Sequence, residues 1–417
     1  MRKGFTLIEL LVVIAIIAIL AVVVVLVINP GELLRQSRDS NRISDMASMN
    51  SVLGIYSAQG GSSFGTANTV YVSIPDPAAT STAGDQCQGL GLLTLPATYS
   101  YHCVPISTYR AINGTGWIPV NFTTLAAGSP IGALPQDPIN TSSSRLYYTY
   151  ETNGTQYEVT GVMESQKYGV GGSNDVISND GGILASVYEK GSITGLEPLD
   201  YGDPTLAGWW NFSEGTGTVA YDDSGNNATG SWSGTQTGSS GYYSTGKIGS
   251  WSGAFDGSTN YVNSLGSATS YNFGAGSYTI SAWIQTPGNA YQCVIGKSSS
   301  ADASNFRAFL TPANGLDLFW GNDSSLYPGS GALVFPTSTW VFAVWGYNAS
   351  AGQVFYAVNG VESVSPAANH SVSNSQTPHI GDDTAGNYHF SGLIDDVRIY
   401  NRALSAAQIT AMYNGGK

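Results

Sequence analysis

From Leu10 to Ile28 the chain runs for 19 residues without a charge. As an α-helix that run is about 28 Å long, close to the roughly 30 Å hydrocarbon core of a bilayer. A secretory signal has a shorter apolar region and a small-residue cleavage site after it. No such site follows before "INPGELLRQ", so the run is expected to stay as a transmembrane helix over residues 10–28. Glu9 stands at its threshold. A charge in a spanning helix costs about 2.5–3.5 kcal/mol and normally has a partner. Cutting between Gly4 and Phe5 would create an amino group at Phe5, which a neighbouring copy in a helical assembly could set against Glu9. Gly4 is small enough for a peptidase cleft, and Arg2 and Lys3 would hold a leader on the cytoplasmic side. Arg35, Arg38 and Arg42 follow the span, so loop charge alone does not orient it.

The stretch "KGFTLIELLVVIAIIAILA" resembles the prepilin motif of type IV pilins and type II secretion pseudopilins. The resemblance implies a leader over residues 1–4, cleavage after Gly4 by a prepilin peptidase, N-methylation of Phe5, and a role for Glu9 in pairing subunits. It also implies a single pass through the inner membrane with the N-terminus cytoplasmic, then assembly with other pilin or pseudopilin subunits. Pro30 falls several residues later than the helix-distorting proline of many pilins.

After Pro30, apolar residues at Leu34, Ile43, Met46, Met49, Leu53 and Tyr56 fall into steps of three or four from Ile43 onward. That is an amphipathic helix pattern, and Gly60-Gly61 is its stop signal. The N-terminal helix is therefore expected over 5–60, its second half supporting a head over 61–170. Within the head, Leu146–Tyr150 and 156–162 read as β-runs joined at Asn153-Gly154, a hairpin. This stretch, with "PQDP", resembles the small sheet of pseudopilin heads. Cys87 and Cys103 lie in one Gly/Pro-rich region. In an exported chain they are expected to close a loop, a bridge worth about 3 kcal/mol. Cys293 reads as a small buried hydrophobe. Residues 171–202 read as a Gly-rich linker.

From Ala207 the pattern changes to short alternating strands with turn residues at regular intervals. "SYTISAWIQT", "WVFAVWGYN", "GQVFYAVNG" and "LIDDVRIYN" argue one β-sandwich or jelly roll over 203–417. Only "SAAQITAMYN" reads as helix, with Ser405 as its N-cap. "AGWWNFSEGTGTVAYDDSGNNATG", "GAFDGSTNYV", "YTISAWIQT", "VFYAVNG" and "FSGLIDDVRIYNRALSAAQI" resemble, in order, the laminin G-like, concanavalin A-type jelly roll of bacterial surface proteins. Gln408 stands where that last motif commonly has Glu. The fold class is thus α+β: a long membrane-spanning helix with a small pilin-like β head, followed by an all-β jelly roll.

The formal net charge is −13, which disfavours nucleic acid and suits cations. Glu214, Asp222, Asp223, Asn226, Asp395 and Asp396 form a candidate structural calcium set, because "DDSGNN" offers a turn with carboxylates and carbonyls and the last strand would return "IDDV" beside the first. Asp222 and Asn226 serve equally as turn caps. Among the tryptophans, Trp209, Trp283 and Trp340 lie in strand motifs and read as core. Trp232 and Trp320, beside Gly, Asn and Ser, are candidate platforms for a glycan. The sequence carries no E-x-D-x-x-E, HExxH, GxSxG or phosphate-loop motif, so a binding protein rather than an enzyme is expected. Two roles compete. One is a surface filament subunit displaying the sandwich for adhesion to glycan or protein. The other is a minor pseudopilin of a type II secretion or DNA-uptake machine, whose sandwich contacts partner subunits or cargo.

Substitution of Gly4 should leave the precursor uncut and unassembled, whereas Glu9→Ala should be cut normally yet assemble poorly. Mass spectrometry of the membrane fraction and filament yield measure the two steps separately.

Overall fold

The expected single N-terminal helix is two helices, α1 (Leu7–Ile28) and α2 (Pro30–Ala58). They break at Asn29, which adopts a left-handed conformation (φ 44°) and caps α2 by accepting from the Glu32 amide. Pro30 causes the break: it has no amide hydrogen to continue α1, yet its fixed φ suits the first position of a new helix. The computed structural model describes residues 6–79, 87–288, 290–298, 305–320, 324–326, 333–367, 371–384 and 386–416. The side chains of residues 19 and 21–28 lie outside that set. Among the described residues no helix is long and apolar enough to cross a membrane, so the span over 10–28 rests on the sequence.

At the start of α1 the sequence holds a capping box, Thr6-x-x-Glu9. The Thr6 amide and hydroxyl each donate to Glu9 Oε2 at 2.8 Å, and the Glu9 amide donates to Thr6 Oγ1. Glu9 thus has a local partner in addition to any intermolecular one.

The stripe that α2 buries is not purely apolar. Met46, Met49, Val52 and Leu53 are buried, but so are Asp39 and Arg42, while Leu34 is exposed. Arg42 donates to Asp137 (Nε 2.5 Å, Nη2 3.0 Å), Asp39 (2.8 Å) and Glu164 (2.6 Å), and Arg38 also binds Glu164. Asp39 in turn accepts from the Glu164 and Ser165 amides. The "PQDP" loop is therefore the acid that holds the helix. A second stop signal works as read: α2 ends just before Gly60, which turns left-handed (φ 87°).

The head sheet runs β2-β1-β3-β4-β5, with β1 Thr69–Val72, β2 Ser100–His102, β3 Tyr148–Thr152, β4 Tyr157–Gly161 and β5 Tyr188–Gly191. The β3–β4 hairpin turns at Asn153-Gly154, where Gly154 takes φ 96°. Strand alternation turns Tyr148, Tyr150, Tyr157 and Val159 toward α2. Cys87 and Cys103 form a disulfide.

Residues 171–202 are not a free linker. They supply β5, and Leu184, Val187, Leu199 and Tyr201 enter a core shared with the second half. Those apolar residues are scattered among Gly, Asn and Asp, which masks them in a compositional reading.

The second half holds two eight-stranded antiparallel sheets. The first runs β19-β18-β17-β12-β21-β10-β9, with β6 also on β21. Its strands are β6 Leu206–Trp210, β9 Tyr243–Thr245, β10 Trp251–Asp256, β12 Tyr278–Gln285, β17 Val341–Asn348, β18 Gln353–Val358, β19 Val361–Pro366 and β21 Ser391–Tyr400. The second runs β16-β15-β14-β13-β20-β11-β8-β7. It comprises β7 Val219–Ala220, β8 Gly230–Ser233, β11 Tyr261–Asn263, β13 Gln292–Lys297, β14 Phe306–Leu310, β15 Leu316–Trp320, β16 Ser324–Leu326 and β20 His379–Ile380. A core including Trp210, Ile280, Trp345, Val262, Ile295 and Leu318 fills the space between them. Helix α3 (Ala406–Gly415) begins with a capping box in which Gln408 fills the Glu role, its side chain accepting from the Ser405 amide.

The first sheet's outer side, at Trp283, Phe342 and Phe355, packs with α3 and the head segment. On the second sheet's outer side Arg307, Phe309 and Asp317 are buried and Tyr261, Phe319 and His379 half-buried.

Arg42→Met should destabilise the protein by about 3–5 kcal/mol, since Asp39 and Asp137 would keep buried charge without a counter-ion, whereas Glu164 retains Arg38. Thermal unfolding of the variant against the parent measures it.

Candidate ligand-binding face

The six residues proposed for calcium do not share one place. As expected, β6 pairs with β21, with Trp209 opposite Arg398, and this sets Asp222 and Asp396 on either side of Trp209. Their oxygens are already engaged. Asp222 accepts from the amides of Trp209, Ser224 and Ala228, a turn cap. Asn226 donates to the Leu206 carbonyl and Ser224 Oγ. Asp396 accepts from the Trp209 indole at 2.7 Å and from Arg398 at 2.9 Å. Asp395 accepts from the Lys247 and Ile248 amides. Burial pushes the Asp395 carboxyl well above the usual range.

Glu214 and Asp223 are brought together elsewhere. They line a pocket of about 440 Å³ between head and sandwich, with Tyr99, Glu197, Asn211 and Tyr221. Burial, then the Glu214 and Asp222 charges, raise Asp223 well above an ordinary carboxylate, and burial raises Glu214. Burial and the Asp223 charge push the Tyr99 phenol up to about 12. Among the described residues no group of three or more Asp, Glu, His or Cys side chains is arranged to hold a metal ion.

Trp232 is core, not platform. It is 6% exposed, stacks on Tyr242 at 4.9 Å, meets Phe255 at 4.9 Å and donates to Tyr243 Oη. On β8 the alternation Ser231, Trp232, Ser233 points the ring inward, which its Gly and Ser neighbours obscured. Trp320 has its backbone in β15, opposite Ser324, and its side chain lies outside the described residues, as do Gly4 and Phe5 altogether. Trp209 and Trp283 are buried.

The second sheet offers a different surface. Val262, Ile295, Ala308, Leu318 and Ile380 face the core, so strand alternation turns Tyr261, Arg307, Phe309, Asp317, Phe319 and His379 to the other side. There the rings form a strip. Tyr261 stacks on His379 at 5.0 Å, and His379 Nδ1 lies 2.7 Å from Asp382. Phe309 meets Phe319 at 4.8 Å and Tyr388 at 5.1 Å, both edge-on, and Tyr388 meets Tyr291 at 6.4 Å. Arg307 lies over Phe309 and Phe319 and 3.9 Å from Asp383. Tyr388 and Tyr291 are 47% and 43% exposed, so this end of the strip is open to solvent. Gly296 on β13 lets the Asp382-Asp383 turn approach, because a Cβ there would stand 2.9 Å from the Asp383 Cα.

Ring faces supply apolar area at low conformational cost, while guanidinium and carboxylate groups supply directional hydrogen bonds. That combination suits a ligand with one apolar and one hydroxyl-rich aspect. Period-two reading of "FRAFL" and "LDLFW" against each other is the signal that would have found it, since both place charge and aromatic rings on one side.

Residues 1–25 match the prokaryotic N-terminal methylation motif, and residues 255–410 match the concanavalin A-like lectin/glucanases superfamily. No match is found among curated proteins. Among solved structures, domain 4 of AbnA, a GH43 extracellular arabinanase from Geobacillus stearothermophilus in complex with arabinotriose, is 21% identical, with 50% of this chain and 98% of that one covered and a TM-score of 0.39. Trypanosoma rangeli sialidase in complex with 2,3-difluorosialic acid is 15% identical; 51% of this chain and only 33% of the sialidase are covered, with a TM-score of 0.36. The binding domain of botulinum neurotoxin DC in complex with SialylT is 12% identical, with 51% and 52% covered and a TM-score of 0.39.

Burial pushes Asp317 up to about 7, against about 3.9 for an unfolded Asp. Burial disfavours its charged form, so its contribution to stability is complete below about pH 4 and is lost as pH rises through about 7. Asp317→Asn should therefore lose less melting temperature than the parent between about pH 5 and about pH 8, as paired thermal melts would record.

Proposed function

We propose that the chain is a pilin-like subunit of a cell-surface filament, presenting its sandwich to bind an extracellular glycan. The supporting observation is the division of labour between the two sheets. The first is packed against the head and α3, whereas the far side of the second carries half-buried Tyr261 and His379 and buried Phe309, against which the exposed rings of Tyr388 and Tyr291 stand. Sugar rings have an apolar C–H face and a hydroxyl rim, which the exposed ring faces and phenol hydroxyls of Tyr388 and Tyr291 complement. The methylation motif supports processing at Gly4–Phe5, insertion as a single pass with the N-terminus cytoplasmic, and later assembly with other pilin subunits through Glu9.

A second reading, a minor or tip subunit of a secretion or uptake machine, is favoured by one observation. The sandwich is joined to the head through a shared core instead of swinging on a flexible linker. A rigid domain of roughly 200 residues is hard to repeat at every position of a tight helical lattice. We therefore place the glycan-binding subunit at low copy number or at the filament tip.

Full-length chain in detergent, applied to a glycan array and then titrated with the best hit, tests the reading. Tyr388→Ala should weaken binding about three- to tenfold, the worth of one aromatic contact, at unchanged melting temperature. Failure of the parent to bind any glycan would leave the partner-subunit role in its place.

A further inference from the structure

We propose that the joint between head and sandwich is a pH-sensitive latch, in which Glu151 and Glu197 share one proton and segment 195–201 loosens from the head sheet when that proton is lost. On the side of β3 and β4 turned away from α2, alternation sets Thr149, Glu151, Glu158 and Thr160 in a row. Segment 195–201 covers them. Its amides serve Glu158, which accepts from Gly195 (3.0 Å), Leu196 (2.6 Å) and Glu197 (2.9 Å). Near its far end Asp200 stands 2.9 Å from Arg398 of β21, so whatever holds this segment to the head also holds the sandwich.

Counting donors shows why the pair needs a proton. Tyr201 Oη, Thr160 Oγ1 and Thr149 Oγ1 form a buried chain with steps of 2.8 and 2.5 Å, and Thr149 Oγ1 donates to Glu197 Oε2 at 2.6 Å. Each hydroxyl has one hydrogen to give, so the chain ends at Glu197, whose other oxygen accepts from the Leu199 amide at 3.2 Å. Glu151 is 2% exposed and stands within hydrogen-bonding reach of Glu197 and Thr149. The Thr149 hydrogen is already engaged, and among the described residues no other N–H or O–H reaches a Glu151 oxygen. Two ionised carboxylates only accept, whereas a carboxylic acid donates to a carboxylate. Losing the shared proton to water leaves two negative charges in contact inside the protein.

The groups around the pair do not replace that proton. On β4 lies another carboxylate, Glu158, whose charge acts on both members. β5 adds Glu189, which shares the Gly195 amide with Glu158 and donates its own amide to Asp180. Tyr101 of β2, Tyr99 before it, Tyr147 beside β3 and Tyr201 also face the pair. Burial holds each of these phenols above its ordinary range, so they stay neutral while the pair titrates. The sandwich adds a further acid, Asp223, whose charge reaches Tyr99. The nearby bases are engaged elsewhere: Arg398 with Asp200 and Asp396, Arg145 with the Tyr201 and Asp203 carbonyls, Lys190 over the Tyr188 ring. Burial pushes Glu197 up to about 7, against about 4.3 for an unfolded Glu, and burial with the Glu197 charge pushes Glu151 well above its ordinary range. The closed segment thus keeps a proton that the open one releases. Its contribution is complete below about pH 4 and is lost as pH rises through about 7.

The test follows hydrogen exchange by mass spectrometry on full-length chain in detergent. After correction for the intrinsic exchange rate, protection of the amides over 195–201 should fall about tenfold per pH unit between about pH 5 and about pH 7, the dependence of a one-proton release. Glu151→Gln should flatten that fall, because its amide donates to Glu197 without a titrating proton. Glu197→Gln is the second variant if the first misfolds, and should flatten it too. Asp317→Asn, on β15 of the sandwich, should leave the fall over 195–201 in place. Constant protection across the range in the parent, an undiminished fall in a folded Glu151→Gln or Glu197→Gln, or its loss in Asp317→Asn would each overturn the latch.

Discussion

Arg398 decides how the two halves of the molecule stand to each other. It is buried in β21, donating to Asp200 and Asp396 at 2.9 Å each and to the Ile183 carbonyl, with its guanidinium 4.3 Å above the Trp209 ring. A guanidinium removed from water is stable only if its donors are matched. Here the matching groups come from both halves: Ile183 and Asp200 precede the sandwich, Trp209 and Asp396 belong to it. Neither half can satisfy this charge alone, so the seam closes around it. Closing the seam covers one sheet of the sandwich and thereby selects the other as the outward one.

What could be read from the chain follows from how local each signal is. Capping at Ser405, the Asn153-Gly154 turn, the stop at Gly60 and the alternating strands rest on neighbours a few residues apart, and each stands where it was expected. Pairing of Cys87 with Cys103 was accessible because the cysteines were few. The misreadings involve long-range partners. Trp232 was judged by its Gly and Ser neighbours, but its direction is set by the β8–β11 register and by Tyr242 and Phe255. The segment 171–202 was judged by its glycines, but Leu184, Val187 and Tyr201 fill a core whose other wall lies beyond residue 205. Acid clustering in sequence does not announce that Asp222, Asn226, Asp395 and Asp396 take part in hydrogen bonds that shape the fold. The Thr6–Glu9 capping box is equally local, its two residues lying three apart.

The same logic explains an odd feature of composition. Charged residues are 10% of the chain, yet many are interior: Asp39, Arg42 and Asp137 behind α2, Glu151, Glu158, Glu189 and Glu197 behind the head sheet, Asp200, Asp396 and Arg398 at the seam. Where a base was available, burial produced a closed network. With 28 acids against 15 bases, matching cannot be complete, and the shortfall shows in the head sheet, the seam pocket and the sandwich strands that carry Asp317 and Asp395. There, backbone amides take over the counter-ion's role, as at Glu158. At Glu151 and at Asp317 even the amides run out.

That placement has a mechanical consequence. The helix network at Arg42 and the seam network at Arg398 are linked through the β3–β4 hairpin and the segment that ends at Asp200. Apolar contacts alone would let those parts slide, because burial energy depends on area and not on direction. Charge pairs with fixed geometry resist sliding, since a shift of an ångström leaves a buried ion unmatched. The rings at Tyr261, Phe309 and Tyr388 can thus stay in register with α2, although more than 200 residues of sequence separate them.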